Sequence, residues 1–349
     1  MIVTDAWRPQ TNGVVSTLAQ TAAYLGRFGH DVRLITPSEF RTVACPTYPE
    51  IRIALLPGAA VARCIAAFQP QALHIATEGP LGWSARAYCR RHGLRFTTSY
   101  HTQFPEYLRS RAPLPLALSY AVLRSFHGAA HACMVSTQSI HRQLAGRGFR
   151  NLVRWRRGVD TELFRPRDKA LLDHLPRPIA AYVGRVAVEK NIDAFLGMPW
   201  SGSKVVIGDG PERARLHAQY PDAHFLGFRF GEDLAAHLAA ADVMVFPSRT
   251  DTFGLVNLEA LACGVPVAAF PVTGPIDVIE DGITGALDTD LARAAQRALS
   301  VDPQRCRERA LQSSWDGSTR QFEGNLIACR PNPAGQLPKR TALPEQLTG

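Results

Sequence analysis

The sequence predicts an α/β protein built from two doubly wound, Rossmann-like domains that face each other across a cleft. Its 349 residues are enough for two domains of ordinary size. Short apolar or β-branched runs alternate with helical patterns through nearly the whole chain, which is typical of parallel sheets with crossover helices. A charged, proline-punctuated stretch between Arg157 and Pro178 interrupts this alternation and predicts a linker.

The same plan of strands and intervening helices occurs in both halves. In the first half, the patterns predict strands near Ile2–Thr4, Val32–Thr36, Leu73–Ala76, Phe96–Tyr100, Ala132–Ser136 and Leu152–Trp155, with helices such as Val14–Leu25 and Trp83–Arg91. In the second half they predict strands at Ile179–Val183, Lys204–Ile207, Ala223–Leu226, Val243–Phe246 and Pro266–Phe270.

These patterns divide the chain into an N-terminal domain, residues 1–165, and a C-terminal domain, residues 166–314. A final helix is expected over 315–329. Residues 330–349 contain four Pro and two Gly without apolar periodicity, so we expect a disordered tail.

Composition indicates a globular protein of the cytoplasm. Hydrophobic residues make up 46% of the chain, the mean hydropathy is -0.08, and no stretch is long and apolar enough for a membrane span. The start lacks the basic and apolar regions of a secretory signal. The seven cysteines are scattered, which favours reduced thiols over a disulfide framework.

The net positive charge lies in the first half. Residues 1–165 contain 20 Arg, no Lys and 8 acidic residues, a net charge of +12, whereas the remainder carries −3. This asymmetry predicts that the first half meets an anionic partner, either a membrane leaflet, an acidic headgroup or nucleic acid.

The segment PSRTDTFGLVNLEALACGVP, residues 247–266, carries the most specific chemistry. Asp251 follows a predicted apolar strand, and Glu259 lies about one turn inside a helix predicted from Leu255 to Cys263. Both carboxylates can face one ligand rich in hydroxyl groups, because a carboxylate accepts two hydrogen bonds from a vicinal diol. The turn residues Thr252, Phe253, Gly254 and Leu255 would place the N–H groups at the helix start beside the same ligand.

This block resembles the Glu-x7-Glu signature of the family 4 retaining glycosyltransferases, which have the GT-B fold. The resemblance implies that Asp251 binds hydroxyls of a donor sugar and that Glu259 binds the ribose of its nucleotide. Asp251 replaces the first glutamate of the signature, so its carboxylate starts one methylene further back. The resemblance covers about residues 1–328 and implies that the last helix crosses back to the first domain.

Further segments match the same family. GRVAVEKN, residues 184–191, resembles its diphosphate-binding motif, which implies that Arg185 and Lys190 stabilise the departing diphosphate electrostatically. His101 follows a first-domain strand, where relatives have a histidine that contacts the donor sugar. We therefore assign catalytic roles to His101, Arg185, Lys190 and Asp251.

Two first-domain segments are also expected at the cleft. Asn12 and Gly13 form a turn dipeptide before a helix; Gly13 permits positive φ and close approach of the backbone to a ligand, and the segment resembles the family's glycine loop. Asn12 and Glu78, which ends another strand, are predicted to bind the acceptor or to shape the cleft floor.

No metal or other cofactor is predicted. Asp288-Thr289-Asp290 precedes LARAAQRAL and indicates a helix N-cap rather than a metal site. His127 and His131 have helical spacing near Cys133, but no third ligand is evident for zinc. The Gly208–Pro211 segment indicates a tight turn that could border the nucleotide base.

The sequence therefore predicts a metal-independent retaining glycosyltransferase that uses a nucleotide-diphosphate sugar, either GDP-mannose or a UDP-hexose. Two alternatives remain open: a basic protein that binds nucleic acid or membranes on a degenerate scaffold, and a sugar-nucleotide epimerase. The Asp251/Glu259 block favours transfer, and no nucleic-acid partner is expected.

The arginines of the first half suggest where such an enzyme works. The apolar segment 113–123 follows Arg109 and Arg111, and further arginines are Arg142, Arg147, Arg150, Arg154, Arg156 and Arg157. We expect peripheral attachment to the cytoplasmic face of the membrane, with diacylglycerol or a similar lipid as acceptor. The alternative for 113–123 is an ordinary core helix.

Overall fold

A computed structural model of the chain describes residues 1–45, 48–103, 105–106 and 115–330. The predicted tail beyond Arg330 lies outside these residues. The first half contains strands β1 Ile2–Val3, β2 Leu34–Ile35, β3 Thr42–Cys45, β4 Tyr48–Ala54, β5 His74–Ile75, β6 Thr97–Tyr100, β7 Ala132–Val135 and β8 Leu152–Arg154. Its helices are α1 Gly13–Arg27, α2 Gly58–Phe68, α3 Pro80–Arg91, α4 Leu116–Gly128 and α5 Gln138–Gly146.

The second half contains strands β9 Ile179–Val183, β10 Ser203–Ile207, β11 His224–Gly227, β12 Val243–Phe246, β13 Val267–Ala269 and β14 Gly285–Leu287. Its helices are α6 Ile192–Gly197, α7 Arg213–Gln219, α8 Gly231–Ala239, α9 Leu255–Ala262, α10 Pro275–Val278, α11 Leu291–Ala298, α12 Pro303–Leu311 and α13 Trp315–Asn325. The predicted boundary at residue 165 falls in the connection between β8 and β9.

Each half is built around one six-stranded parallel sheet. The strand orders are β2-β1-β5-β6-β7-β8 and β11-β10-β9-β12-β13-β14. In the second sheet, apolar side chains alternate between two buried layers, with Ala181 in one and Tyr182 in the other. The predicted α/β architecture with two doubly wound domains is confirmed.

The strand order places two switch points in the molecule. β1 and β5 are neighbours in the first sheet, and β9 and β12 are neighbours in the second; from each pair the following strands are added in opposite directions. Ligands bind open α/β sheets in the crevice beyond the carboxyl ends of such strands.

The last helix, α13, packs on the first domain. Phe322 is fully buried in a cluster that also contains Leu18 of α1 and Trp155. The Ser318 hydroxyl donates a hydrogen bond to the carbonyl of Arg156 at 2.7 Å. Gly158 lies so close to the start of this helix that a Cβ atom there would be 2.5 Å from the Trp315 nitrogen.

We expect Gly158→Ala to destabilise the protein by about 2–3 kcal/mol, because the new methyl group would overlap the backbone of α13. The urea midpoint of unfolding would measure this. Gly146→Ala is the matched control, since no atom lies within 4 Å of its Cβ position at the end of α5. Equal midpoints for the two variants would contradict the packing of α13.

Candidate active site

Except for His101, which follows β6, the predicted site residues follow the four strands at the two switch points. The Asn12–Gly13 segment follows β1 and Glu78 follows β5. Arg185 and Lys190 follow β9, and the Asp251 block follows β12. The topology thus brings both domains' site segments to the carboxyl ends of their central strands.

Gly254 sets the course of the chain between β12 and α9. Its φ is +78°, and a Cβ atom there would be 2.8 Å from the Phe246 ring and 2.7 Å from the amide nitrogen of Asn257. Only glycine tolerates this conformation and spacing. It directs residues 251–253 towards the first domain, and α9 then places Glu259 at its fifth position.

Asp251 and Lys190 form an ion pair at the centre of the site. The Lys190 Nζ atom is 2.7 and 2.8 Å from the two carboxylate oxygens, and both side chains are largely buried. The amide of Gln103 in the first domain donates to the Asp251 carbonyl at 3.2 Å. Lys190, a cation suited to binding phosphate, is therefore in direct contact with Asp251, a carboxylate suited to binding sugar hydroxyls.

Arg185 is ion-paired with an acidic residue that the sequence patterns did not reveal. Its Nη2 atom is 2.6 Å from Oε1 of Glu50 on β4 in the first domain. Strands β3 and β4 form an antiparallel hairpin, which was also absent from the predicted elements. The hairpin thus positions the Glu50 carboxylate beside Arg185, the cation predicted to bind diphosphate.

We expect Glu50→Gln to lower the KM for the donor about two- to fivefold, because the diphosphate would no longer compete with this carboxylate for Arg185. Steady-state kinetics with varied donor would measure it. Glu308→Gln, which alters another acid paired to an arginine at 3.3 Å, is the control. An unchanged or higher KM for Glu50→Gln would contradict competition at Arg185.

Thr252 connects the acidic block to the first domain. Its hydroxyl donates to the His101 carbonyl at 2.7 Å, and its own carbonyl accepts from Ser136 at 3.0 Å and from Thr137 at 3.3 Å. Leu255 also reaches across, since its Cδ1 atom lies 3.5 Å from the Cβ position of Gly13. Phe253 instead packs against the core of its own domain.

His101 lies in a buried hydrogen-bond network beneath the block. Its Nε2 atom is 2.8 Å from the Ser99 hydroxyl, and its Nδ1 atom is 3.3 Å from Nη2 of Arg157. Burial, then the charge of Arg157, lowers the pKa of His101 well below its ordinary value. The ring is therefore neutral, and both nitrogens are occupied in this conformation.

Glu259 is half-buried on α9, and burial raises the pKa of its carboxyl group to about 7. Among the residues that the structure describes, none donates a hydrogen bond to this carboxylate. Its hydrogen-bonding capacity is available to a ligand, as the resemblance to the family's ribose-binding residue implies.

Gly13 does not use the positive φ that glycine permits. Gly13 is the first residue of α1 and has helical rather than positive φ. Asn12 is the N-cap, and its side-chain oxygen accepts from the Val14 and Val15 nitrogens at 3.0 Å. The capping bonds favour a helix starting at Gly13 over an Asn-Gly turn.

Glu78 also has a partner within the protein. Its Oε1 atom is 2.9 Å from Nε2 of the buried His127, whose Nδ1 is 3.0 Å from the Thr98 hydroxyl. The pKa of His127 rises to about 10, because Cys133 and Glu78 outweigh the effect of burial. Glu78 therefore holds an internal ion pair, and acceptor binding by Glu78 and Asn12 stays a prediction.

Other sequence patterns have plain structural outcomes. Asp290 caps α11, accepting from the Ala292 nitrogen at 3.0 Å, as predicted. Within the described residues, no group of three or more His, Cys, Asp or Glu side chains could hold a metal ion.

The predicted placement of Arg157 at a membrane surface is wrong. Arg157 is only 5% exposed, because it packs over the Trp155 ring. Arg154 is half-buried and donates to Gln138 and to the Ser136 carbonyl. Arg109, Arg111 and residues 113–114 lie outside the described residues.

The chain resembles known glycosyltransferases in sequence and in fold. Residues 11–163 match the model of Glycosyltransferase Family 4, and residues 177–301 match that of Glycosyl transferases group 1. A GDP-mannose-dependent alpha-mannosyltransferase of Mycobacterium tuberculosis is 32% identical over 311 residues, with 82% of each chain covered. Sulfoquinovosyl transferase SQD2 of Arabidopsis thaliana is 31% identical over 297 residues, 76% of this chain and 58% of that one.

Solved structures share the fold. Sucrose-phosphate synthase from Thermosynechococcus elongatus superposes with a TM-score of 0.74 at 22% identity, covering 93% of this chain and 96% of that one. Anabaena HepE in complex with UDP and glucose gives 0.71 at 18% identity, covering 93% and 97%. The chain therefore belongs to the family 4 glycosyltransferases with the GT-B fold, and it transfers a sugar from a nucleotide-sugar donor.

Proposed function

We propose that this protein is a retaining hexosyltransferase that uses GDP-mannose, or a UDP-hexose, and a hydroxyl acceptor on a membrane lipid such as diacylglycerol. The ion pair between Lys190 and Asp251 supports this proposal, because the residue expected to bind phosphate lies within 2.8 Å of the residue expected to bind the sugar. Arg185, which follows β9 as Lys190 does, supplies a second cation.

Transfer places negative charge on the departing diphosphate. Arg185 and Lys190 would stabilise this charge as the bond to the anomeric carbon breaks. When Lys190 turns to the phosphate, the Asp251 carboxylate becomes available to the sugar hydroxyls. In front-side attack, the acceptor oxygen bonds to the anomeric carbon on the face that the diphosphate leaves, and a leaving phosphate oxygen takes the acceptor's proton. This chemistry needs no protein base.

The similarity to GDP-mannose-dependent enzymes favours a guanine nucleotide. A structural neighbour was solved with UDP and glucose, so a UDP-hexose is the second candidate donor. Thermal unfolding with GDP, UDP and ADP tests the preference. At 100 times Kd, the preferred nucleotide should stabilise the protein by about 2.7 kcal/mol. No shift with any nucleotide, together with salt-dependent RNA binding, would support the nucleic-acid alternative.

The stereochemical course provides a separate test of the reaction. NMR of the product formed with GDP-mannose should show the anomeric configuration of the donor. An inverted product would exclude front-side attack with retention.

The surface of the first domain supports membrane attachment. On α4, Leu118 is 58% exposed and Val122, one turn later, is 47% exposed. Arg142, Arg150 and Arg156 are also exposed on this domain. Near an anionic leaflet each such cation contributes about 1 kcal/mol, and shallow insertion of apolar side chains adds to it. Within the described ranges, no helix has the length and apolar character to cross a membrane.

Vesicle sedimentation tests this attachment. The protein should bind vesicles containing anionic lipid, and binding should weaken with salt. Replacing Arg142, Arg150 and Arg156 with Ser should reduce binding without changing nucleotide affinity. The control replaces three exposed arginines of the second domain, Arg215, Arg293 and Arg305. Equal binding to neutral vesicles, or none to anionic ones, would favour a soluble acceptor.

A further inference from the structure

Arg157 is a buried cation directly beneath the proposed donor site. Its Nη1 atom donates to the Trp155 carbonyl at 2.8 Å, and its Cζ atom is 4.1 Å from the centre of the Trp155 ring. Across residues 1–45, 48–103, 105–106 and 115–330, no carboxylate forms an ion pair with it. A buried cation without a carboxylate is unfavourable for folding, so its retention calls for another explanation.

The remaining contact of Arg157 fixes the protonation of His101. A guanidinium group can only donate, so the His101 Nδ1 atom, 3.3 Å from Nη2, must accept. A neutral ring then carries its proton on Nε2 and donates it to Ser99 at 2.8 Å. Ser99 in turn donates to the Ala76 carbonyl at 3.4 Å, and its hydroxyl oxygen is 3.0 Å from Nε2 of His74.

The charged and titratable groups that act on His101 oppose a second proton. Burial lowers the pKa of His101 most; among the charged and titratable groups Arg157 has the strongest effect, and His74 and His127 act in the same direction. Protonation of Nδ1 would also bring its N–H group against the N–H group of Arg157 Nη2, so that two donors would face each other. Arg157 keeps its own proton, although burial lowers its pKa to about 9.

The neutral ring is connected to the sugar-binding block. The carbonyl of His101 accepts from the Thr252 hydroxyl at 2.7 Å, and Thr252 is adjacent to Asp251. If His101 became protonated, its ring would move away from the guanidinium and disturb this connection. The effect would reach Asp251 through the backbone.

We propose that Arg157 is a positioning residue of the transfer reaction, which holds His101 as a neutral acceptor and so keeps the Thr252–Asp251 segment in place. This inference rests on the proposed function only in taking Asp251 to bind the donor sugar. It predicts that His101 does not titrate between pH 5.5 and 8.

Kinetics of Arg157→Gln test the role. Glutamine can still donate to Nδ1 but lacks the charge, so the pKa of His101 should rise, although burial continues to lower it. We expect kcat at saturating donor to fall at least about twofold more between pH 8 and pH 5.5 in this variant than in the wild type. Arg157→Lys retains the charge and should restore the wild-type profile. Arg305→Gln, at an exposed position of the second domain, is the control.

A spectroscopic measurement of the His101 protonation state in the wild type requires neither a folded variant nor a known donor. With ¹⁵N-labelled histidine, the His101 ring should show a protonated Nε2 and an unprotonated Nδ1 at pH 5.5. A doubly protonated ring at that pH, or a kcat profile of Arg157→Gln parallel to that of the wild type, would overturn the role of Arg157. Neither outcome depends on which nucleotide stabilises the protein, so a failure here is distinct from a failure of the proposed donor.

Discussion

Lys190→Ala is expected to lower kcat about 100- to 1,000-fold, the range seen when one preorganised donor to a developing negative charge is removed. Two effects add. The departing diphosphate loses a cation. The largely buried Asp251 carboxylate also loses the ammonium group that lies 2.7 Å away in the wild type, so its negative charge repels the diphosphate. Steady-state kinetics at saturating donor would measure the loss.

Lys169→Ala is the matched control, because Lys169 also pairs with an aspartate, Asp242, at 2.8 Å. That pair lies before β12 rather than at its carboxyl end, so kcat should stay within about twofold of the wild type. A loss of less than about fivefold for Lys190→Ala would place the diphosphate elsewhere.

The elements that carry the site could be predicted because each combines an apolar strand with polar residues at its end. The predicted bounds of β9 and β12 agree with the structure, and Arg185, Lys190 and Asp251 follow them. Their grouping follows from topology, since carboxyl ends of neighbouring parallel strands meet at one sheet edge.

The contacts across the cleft could not be predicted. Glu50 and Arg185 are 135 residues apart, and Thr252 and His101 are 151 apart. No local pattern encodes such pairs, because they depend on how the two domains meet. The β3–β4 hairpin could not be predicted for a local reason: Pro49 interrupts the apolar and β-branched pattern of the segment that forms β4.

Arg157 shows how composition can mislead. Arginines are mostly exposed, so a run with Arg154 and Arg156 indicated a surface patch. Trp155 and Arg157, directly after the end of β8 at Arg154, are buried, whereas Arg156 between them is exposed. Composition carries no information on which side of the chain each arginine faces, so it could not separate Arg157 from its neighbours.

Glu259→Gln is expected to raise the KM for the donor about 10- to 100-fold, since a carboxylate accepts stronger hydrogen bonds from the ribose diol than an amide does. In the wild type, the pKa of about 7 leaves the carboxyl group of Glu259 half-ionised at neutral pH and increasingly ionised as the pH rises. The KM of the wild type should therefore fall from pH 6 to pH 8, and that of Glu259→Gln should lack this dependence. Kinetics with varied donor at each pH would show it.

The same substitution should stabilise the protein without ligand at pH 8. Burial raises the pKa of Glu259 from 4.5 in the unfolded chain to about 7, so the folded state favours the protonated form. Its contribution is fully present below pH 4.5 and is lost as the pH rises through 7. Glu259→Gln avoids this loss and should gain about 1–2 kcal/mol at pH 8, with little gain at pH 4.5.

The two effects of Glu259→Gln separate binding from folding. Urea midpoints at both pH values, with Glu162→Gln as an exposed control, would measure the gain in stability. A higher KM together with higher stability at pH 8 is the behaviour of a carboxylate kept charged for a ligand at the expense of the fold. A higher KM with reduced stability would mean that Glu259 supports the structure of α9 and reaches the donor only indirectly.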